Sequence, residues 1–229
     1  MSTEEQLRDL LAATELQFNR SQIKVDAETC AKKWMYNIAA TRIVPQSPLI
    51  LGFNWGAQEN ERYTPMVANK TFLELLNGSD LGSMRRLRPY LVEYLHMDDP
   101  GLEKVGQSNY CFFRSKRDGE IIESDLELCR PLFEKFLDIA QPSLILSVSS
   151  RLRNYLLGGN RVRNRAWQSM TTEHATNRRY AACKGLLEMN DVKVPIYFLP
   201  HPNARISRVF RNEGWSFAFK RETVPGVIS

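Results

Sequence analysis

Two apolar segments that each end on a polar residue constrain the fold of this chain more than any other feature of its sequence. The first covers residues 48–56 and reads Pro-Leu-Ile-Leu-Gly-Phe-Asn-Trp-Gly, so the apolar run stops at Asn54 between two glycines. The second covers residues 195–205 and delivers His201 directly after another apolar run. Such runs predict buried strands, and ligands of open α/β sheets bind beyond the carboxyl ends of parallel strands. We therefore expect Asn54 and His201 to belong to one site.

The length and composition predict one globular domain in the cytoplasm. The 229 residues fit a single α/β domain, and 43% of them are apolar, which suffices for a substantial core. No apolar run approaches the ~20 residues that a membrane helix requires, and the polar, acidic N-terminus is unlike a secretory signal. We expect no membrane partner, and we expect a monomer.

The cysteines predict neither a metal site nor a disulfide framework. They are scattered along the chain and form no C-x-x-C pair, whereas zinc and iron–sulfur sites usually contain at least one close pair. Free thiols in a reducing compartment are the expected outcome. The four positions are Cys30, Cys111, Cys129 and Cys183.

Positive charge is concentrated in the last third of the chain. The net charge of +5 combines −4 over residues 1–150 with +9 over residues 151–229. Clustered positive charge indicates a polyanionic partner, although a solvated basic surface without a partner would show the same bias. Seven arginines lie between positions 151 and 179, interleaved with Tyr155 and Trp167. This pattern suits a surface that follows a nucleic-acid backbone.

Helix-like and strand-like segments alternate along the chain. Helices are predicted over residues 3–18, about 26–41, 72–76, 84–95, 125–140, 149–157 and about 180–188. Strands are predicted over 49–53, 109–114, 144–148 and 194–199, and the segment 209–220 suits either state. The alternation predicts a three-layer α/β/α fold with a central, mostly parallel, four-stranded sheet. We expect a single domain over 1–229, with N-terminal helices over 3–41 and an arginine-rich insertion over about 158–180.

Motifs follow the predicted strands in a defined order. Residues 52–56 read Gly-Phe-Asn-Trp-Gly, residues 108–112 read Ser-Asn-Tyr-Cys-Phe, and residues 201–205 read His-Pro-Asn-Ala-Arg. Over about residues 45–210 this order resembles the uracil-DNA glycosylase superfamily, most closely its single-strand-selective and mismatch-specific branches. The first motif of those branches is of the type Gly-x-Asn-Pro-Gly, and the second is of the type His-Pro-Ser-x-Arg or Asn-Pro-Ser-Gly. Here Trp55 replaces the proline of the first motif, and Asn203 replaces the serine of the second. The resemblance implies a DNA N-glycosylase that needs neither a metal nor a cofactor.

The resemblance also implies a catalytic pair, Asn54 and His201. Asn54 would hold the attacking water near the anomeric carbon, and His201 would donate a hydrogen bond to a carbonyl oxygen of the leaving base. An amide is not a strong general base, so the rate should be lower than with a carboxylate. Each residue has a structural alternative, since Asn54 suits a turn and His201 suits a cap at the end of a strand.

A pocket for a flipped base is a further implication of the resemblance. Asn109 would read the base, because an amide offers one acceptor and two donors to a pyrimidine edge, although an Asn that satisfies loop backbone is the alternative. Tyr63 is the nearest candidate for the aromatic platform, with Phe72 behind it, and both also suit core positions.

Gly52, Phe53 and Gly56 complete the candidate base-binding set. In the most uracil-restricted relatives a bulky aromatic residue stands where this chain has Gly56, and it blocks the methyl group of thymine. A glycine would leave the pocket open to larger or modified bases, unless Trp55 rebuilds the wall.

Arginines after the second motif are candidates for contacts with DNA. Arg205 lies four residues after His201, where the resemblance implies a wedge that enters the space left by the flipped base. Arg208 and Arg211 would contact phosphates, although a solvated arginine face is the alternative. The remaining candidates are Asn203 in the second motif and Arg161, Arg163 and Arg165 in the insertion.

The leading functional hypothesis is a monofunctional DNA glycosylase for uracil or another altered base; neither motif contains a lysine for imine chemistry. The open position at Gly56 and the unmatched insertion favour one alternative, the excision of hypermodified bases from foreign DNA such as that of a phage. The departures at Trp55 and Asn203 favour another, an inactive module of the same fold that binds modified or single-stranded DNA. An α/β protein that acts on a small phosphorylated metabolite is disfavoured, because the sequence has no glycine-rich phosphate loop.

Overall fold

The structure, a computed structural model, describes residues 1–29, 35–57, 64–78, 82–171 and 179–219. Its α-helices are α1 (Thr3–Phe18), α2 (Gln22–Thr29), α3 (Phe72–Asn77), α4 (Arg88–Leu95), α5 (Asp99–Lys104), α6 (Glu123–Ala140), α7 (Ser150–Gly158) and α8 (Arg208–Phe219). Its strands are β1 (Leu49–Gly56), β2 (Gly106–Ser115), β3 (Ile145–Ser147), β4 (Val162–Thr171), β5 (Arg179–Met189) and β6 (Val192–Phe198). Short 3-10 segments cover Gly82–Leu87 and Asp118–Glu120. Within these residues, no helix is both long and apolar enough to cross a membrane.

The six strands form one mixed sheet in the order β2-β1-β3-β6-β5-β4. The first four strands in that order are parallel, and β5 and β4 continue the sheet as an antiparallel hairpin. The expected α/β fold is confirmed, whereas the expected number of four strands is wrong. The difference arises because β5 pairs with the edge of β6, and β4, which lies in the arginine-rich insertion, pairs with β5.

A single row of paired residues crosses the parallel part of the sheet. Leu51 of β1 is paired with Ser108 of β2 and with Ser147 of β3, and Ser147 is paired in turn with Phe198 of β6. Because the four strands run in the same direction, the residues that follow this row leave the sheet on one side. We call this side, with the residues that follow the row, the carboxyl edge.

Helices cover both faces of the sheet. Side chains alternate between the faces along a strand, and Leu49 and Leu51 pack into one apolar cluster while Ile50 packs into the other. The first cluster includes residues of α1, α2, α6 and α7, and the second includes residues of α3, α4, α5 and α8. Near-continuous apolar strands such as β1 fit this arrangement, because both of their faces are removed from water.

The helix predicted over residues 26–41 is wrong in its second half. Helix α2 ends at Thr29, and residues 35–41 lie in non-helical backbone along β2. Tyr36 forms an antiparallel bridge with Phe113, and neighbouring backbone groups hydrogen-bond to β2. This segment covers the outer edge of β2, so pairing with a distant strand outweighs the local helical spacing.

The helix predicted over residues 180–188 is a strand. These residues belong to β5, which pairs on one side with β6 and on the other with β4. Strand β5 covers β6, which would otherwise be an exposed edge, so tertiary pairing again outweighs the local pattern. The ambiguous C-terminal segment is the helix α8, and β1 runs on through Asn54 to Gly56 instead of stopping at Phe53.

The cysteines within the described residues are free thiols in the interior, as expected: Cys111, Cys129 and Cys183. The sulfur atoms of Cys111 and Cys129 lie 3.5 Å apart between β2 and α6, and burial raises the pKa of the Cys111 thiol. Cys30 lies outside the described residues.

One buried carboxylate joins α2 to α6. Asp125 is fully buried, and its carboxylate accepts hydrogen bonds from the backbone N–H groups of Gln22 (2.9 Å), Ile23 (3.4 Å) and Ile122 (3.2 Å). N–H groups at the start of a helix have no intrahelical partner. Asp125 therefore caps the starts of both helices at once.

We expect Asp125→Ala to lower the free energy of unfolding by about 3 kcal/mol, because several buried N–H donors lose their acceptor at about 1 kcal/mol or more each. Urea denaturation measures the change. Asp138 is exposed on the same helix, and Asp138→Ala should change the free energy by less than about 0.5 kcal/mol. Equal stabilities of the two variants would contradict the capping role.

Candidate active site at the carboxyl edge

Asn54 and His201 follow the same row of the sheet by the same number of residues. Asn54 comes three residues after Leu51, and His201 comes three residues after Phe198. Only β3 separates β1 from β6, so the two strands lie about 10 Å apart at about 4.8 Å per strand. The end of β1 and the loop that follows β6 therefore lie close enough for one small ligand to contact both beyond the carboxyl edge.

Hydrogen bonds to β2 and to the backbone fix the orientation of the Asn54 amide. The hydroxyl of Ser115 donates to the carbonyl of Arg117 (2.7 Å), so its oxygen accepts from Nδ2 of Asn54 at 2.8 Å. The same Nδ2 donates to the carbonyl of Trp55 at 3.2 Å, which uses both hydrogens of the amide. The Oδ1 atom of Asn54 is then the group that can accept a hydrogen bond from a water.

Two further contacts hold the end of β1. The indole Nε1 of Trp55 donates to the carbonyl of Asn37, and the guanidinium of Arg114 donates to the carbonyl of Gly56 at 2.9 Å. Among the residues that the structure describes, a Cβ atom added at Gly56 would meet no atom within 4 Å other than those of its chain neighbours. Trp55 is thus tied to the segment beside β2, and no described residue fills the space at Gly56.

The side chain of Asn109 crosses over the backbone of Gly52. The two residues are paired between β2 and β1, and a Cβ atom added at Gly52 would lie 2.0 Å from Oδ1 of Asn109. Only glycine leaves room for this amide. Because Gly52 and Asn54 share one face of β1, the amide of Asn109 lies beside Asn54 on that face.

Backbone contacts also fix the ring of His201. The backbone N–H of Asn203 donates to Nδ1 of His201 at 3.1 Å, and Arg211 donates to the carbonyls of His201 (2.8 Å) and Ala204 (3.0 Å). Because Nδ1 is an acceptor, the neutral ring carries its proton on Nε2. The Nε2–H group is then available to donate to a ligand.

The charge state of His201 matches this hydrogen bonding. Partial burial of the ring and, secondly, the positive charge of Arg211 lower the pKa of His201 from its usual 6.5. The imidazole is therefore neutral at pH 7, and it can donate from Nε2 without carrying a charge. A fixed donor of this kind stabilises negative charge that develops on a leaving group.

Helix α7 begins between these two residues. It follows β3 directly, and the hydroxyl of Ser149 caps it by accepting from the backbone N–H of Leu152 at 3.2 Å. The hydroxyl of Ser147, two residues earlier, is fully buried and has no hydrogen-bond partner among the described residues. The N-terminus of a helix favours anions, so the carboxyl edge presents a positive helix end between Asn54 and His201.

The side chains of two aromatic candidates, Phe53 and Phe72, do not reach this edge. Phe53 is 4% exposed, and its ring lies in the core with the guanidinium of Arg151 over it at 4.2 Å. Only the backbone of Phe53 is at the edge. Phe72 is fully buried at the start of α3, so it cannot stack on a base. Tyr63 lies outside the described residues.

The three candidate DNA-binding arginines of the insertion contact other parts of the protein. Arg161 lies over the ring of Tyr155 at 4.9 Å, and Arg163 lies 3.5 Å from the carboxylate of Glu188. Arg165 donates to a carbonyl in the last turn of α7. Each side chain therefore has a structural role of its own.

The hairpin also turns these arginines away from the carboxyl edge. Arg163 is paired with Leu186 of β5, and Leu186 is paired in turn with Pro195 of β6. Pro195 comes three residues before Phe198, so Arg163 lies on the side of the row away from the carboxyl edge. The opposite end of the hairpin, where Thr171 is paired with Arg179, is the part that extends beyond Phe198. The structure does not bring Arg161, Arg163 or Arg165 to Asn54 and His201.

The candidates that follow His201 remain at the edge. Asn203, Arg205 and Arg208 are all exposed there. No local pattern pointed to Arg114 or Ser115, because both contact β1 from β2, a strand that is distant in the sequence. Among the described residues, no three side chains of His, Cys, Asp or Glu lie together as metal ligands would. The edge thus combines a fixed acceptor, a fixed neutral donor and cations.

We expect Gly52→Ala to lower the free energy of unfolding by about 1 to 3 kcal/mol, because the new methyl group displaces the Asn109 amide. Gly56→Ala is the matched control on the same strand, and its methyl group meets no atom of the described residues within 4 Å beyond its chain neighbours. Thermal or urea denaturation of both variants measures the difference. A Gly52→Ala variant as stable as the control would show that Asn109 does not lie over Gly52.

Comparison with known proteins gives no family assignment. No family model matches the chain, and no curated protein matches it in sequence. The resemblance to the uracil-DNA glycosylase superfamily therefore depends on the sequence motifs and their order, and membership of that superfamily stays a proposal.

Proposed function

We propose that this chain is a monofunctional DNA glycosylase of the cytoplasm that hydrolyses the N-glycosidic bond of uracil or another altered base flipped out of DNA. One observation carries the proposal: Asn54 and His201 follow the same row of parallel strands by three residues each. Each side chain has its orientation fixed, which leaves one acceptor and one neutral donor at the edge.

The chemistry divides between these two residues. The bond between the anomeric carbon and the base breaks, and its electron pair leaves with the base. The Nε2–H of His201 donates to a carbonyl oxygen of the base, where the negative charge develops. Oδ1 of Asn54 accepts from a water whose oxygen bonds to the anomeric carbon, and the released proton ends on the base. Because an amide is a weak base, most of the acceleration comes from stabilising the leaving group.

The surroundings of the pair suit a polyanion. The N-terminus of α7 opens at the same edge, and the exposed Arg205 and Arg208 follow His201. Backbone N–H groups at a helix N-terminus and arginine side chains are common partners of phosphate. In the proposal Arg205 enters the space that the flipped base leaves, while Asn203 supports the ring of His201 through its backbone.

A second candidate function, the excision of hypermodified bases from foreign DNA, is favoured by the open space at Gly56. The indole of Trp55 is tied to Asn37, and a Cβ at Gly56 meets no atom of the described residues within 4 Å beyond its chain neighbours. A base with a bulky substituent would therefore meet no wall from the described part of the chain at this position. Asn109 beside Asn54 would still read the Watson–Crick edge of such a base.

The proposal is tested by incubating the protein with DNA that carries uracil, hypoxanthine, xanthine or bulky modified pyrimidines, and by detecting freed bases with mass spectrometry. Asn54→Ala and His201→Ala should each slow release by about 100-fold or more, because each removes a group that acts in the transition state. Their dissociation constants for the same DNA should change less than about threefold.

The control for this test is Asn190→Gly in the turn between β5 and β6, at the opposite end of the sheet. Asn190 has a φ of 51°, which glycine adopts freely, so the variant keeps the turn. It should release bases at the rate of the parent chain. If no base is freed from any substrate while DNA still binds, the chain is a binding module and the proposal fails.

Gly56→Tyr should narrow the range of accepted bases. The ring would fill the open space and exclude pyrimidines with large substituents at C5, so their release should fall by about 100-fold relative to uracil. The ratio of release rates for the two kinds of substrate measures the effect. An unchanged ratio in a folded variant would contradict the assignment of Gly56 to the wall of the base pocket.

A further inference from the structure

A groove of about 290 Å³ lies beside the loop that carries His201. Its walls come from three parts of the fold: the loop between β6 and α8, the start of α4 with the preceding 3-10 segment, and α8. Pro200 and Pro202 flank His201 in the sequence, and Arg211 donates to the carbonyl of His201, so the groove lies next to the backbone of the His201 loop. The side chains used below are Arg86, Tyr90, Pro202, Arg211 and Trp215.

The groove carries positive charge, and none of the described residues that line it is acidic. Arg86 is exposed at its rim, and Arg211 lines it while holding the carbonyls of the His201 loop. Arg208 also lies nearby: burial raises the pKa of Tyr90, and the charges of Arg211 and Arg208 oppose that shift. Arginine side chains with a phenol hydroxyl favour an anion, and a phosphate above all.

The aromatic rings of the groove leave a base little to stack on. Tyr90 is stacked on Trp215, with ring centroids 5.2 Å apart at an angle of 19°, and on its helical neighbour Tyr94 at 6.4 Å. Trp215 is 1% exposed. The groove therefore offers guanidinium groups and proline rings rather than a free aromatic face, which suits the phosphate and sugar of a nucleotide and not its base.

We infer that this groove binds the phosphate and sugar of one nucleotide that neighbours the flipped nucleotide on the same DNA strand. The inference rests on the proposed function, and it adds a strand contact that is independent of sequence and depends on Arg86. The volume of about 290 Å³ is small, which suits one phosphate and its sugar rather than a longer stretch of strand. The neighbouring nucleotide is the natural occupant because the groove begins at the residues that flank His201.

The test compares Arg86→Ala with Arg85→Ala, since both side chains are exposed on the same 3-10 segment and only Arg86 lines the groove. The probe is a fluorescent single-stranded thymidine oligonucleotide with one central 2′-fluoro-deoxyuridine, whose fluorine slows cleavage. Fluorescence anisotropy gives the dissociation constant at several salt concentrations. Arg86→Ala should weaken binding about threefold to tenfold and reduce the slope of log affinity against log salt by about 0.7, the value for one phosphate on a single strand.

Arg85→Ala should leave both quantities unchanged. The effect of Arg86→Ala should also vanish on a probe that lacks the nucleotides on one side of the deoxyuridine, which identifies the side that enters the groove. Equal behaviour of the two arginine variants would overturn the inference. Displacement of the probe by free thymidine monophosphate at micromolar concentration would overturn it too, because the groove would then be a mononucleotide site.

Failure of this inference is distinguishable from failure of the proposed function. If the parent chain releases a base but Arg86→Ala changes neither the dissociation constant nor the salt slope, only the inference about the groove fails. A salt slope that depends on Arg86 supports the groove even if no base is released, because the binding assay does not require cleavage.

Discussion

The parallel pairing of β1, β3 and β6 is the constraint on which the rest of this structure depends. Their register puts Leu51, Ser147 and Phe198 in one row, so three distant parts of the chain leave the sheet at the same level. The apolar runs that form these strands are buried on both faces by helices. The polar residues that follow them can therefore meet only beyond the carboxyl edge.

Orientation at that edge is set by groups that are themselves hydrogen-bonded. The hydroxyl of Ser115 is committed to the carbonyl of Arg117, which forces the Asn54 amide to donate to it. The backbone N–H of Asn203 fixes the tautomer of His201 in the same way. Because these groups already hold Asn54 and His201 in place, neither side chain has to reorient during the reaction. A site without a strong base can accelerate the departure of a leaving group in this way.

Local sequence patterns predicted those parts of the fold in which the spacing of apolar residues shows which side chains are buried. The helices α1 and α6 and the core of β1 are of this kind, as is the α/β class. Residues 35–41 and 180–188 were predicted as helices and are not, because each covers the edge of a strand that is remote in the sequence. The sequence of a short segment does not show that a distant strand, β2 or β6, has an unpaired edge that the segment can cover.

In the candidate site, too, some residues could be predicted from local sequence and others depend on pairing between distant strands. Asn54 and His201 could be predicted as edge residues because each ends an apolar run. The contact of Asn109 with Gly52 depends on the register between β1 and β2. The position of Arg163 depends on the direction of the hairpin, which carries it away from the edge. Charge along the sequence indicated a polyanion partner, but only the topology separates arginines at the edge from those elsewhere.

The most direct test of the central claim is the distance from Nε2 of His201 to the nearest carbonyl oxygen of the base in a crystal structure with DNA. The complex would contain an oligonucleotide with 2′-fluoro-deoxyuridine, so that the glycosidic bond survives. We expect a flipped base beyond the carboxyl edge with this distance at about 2.7 to 3.2 Å and a water on Oδ1 of Asn54. A base that remains stacked in its strand, or that binds away from both residues, would contradict it.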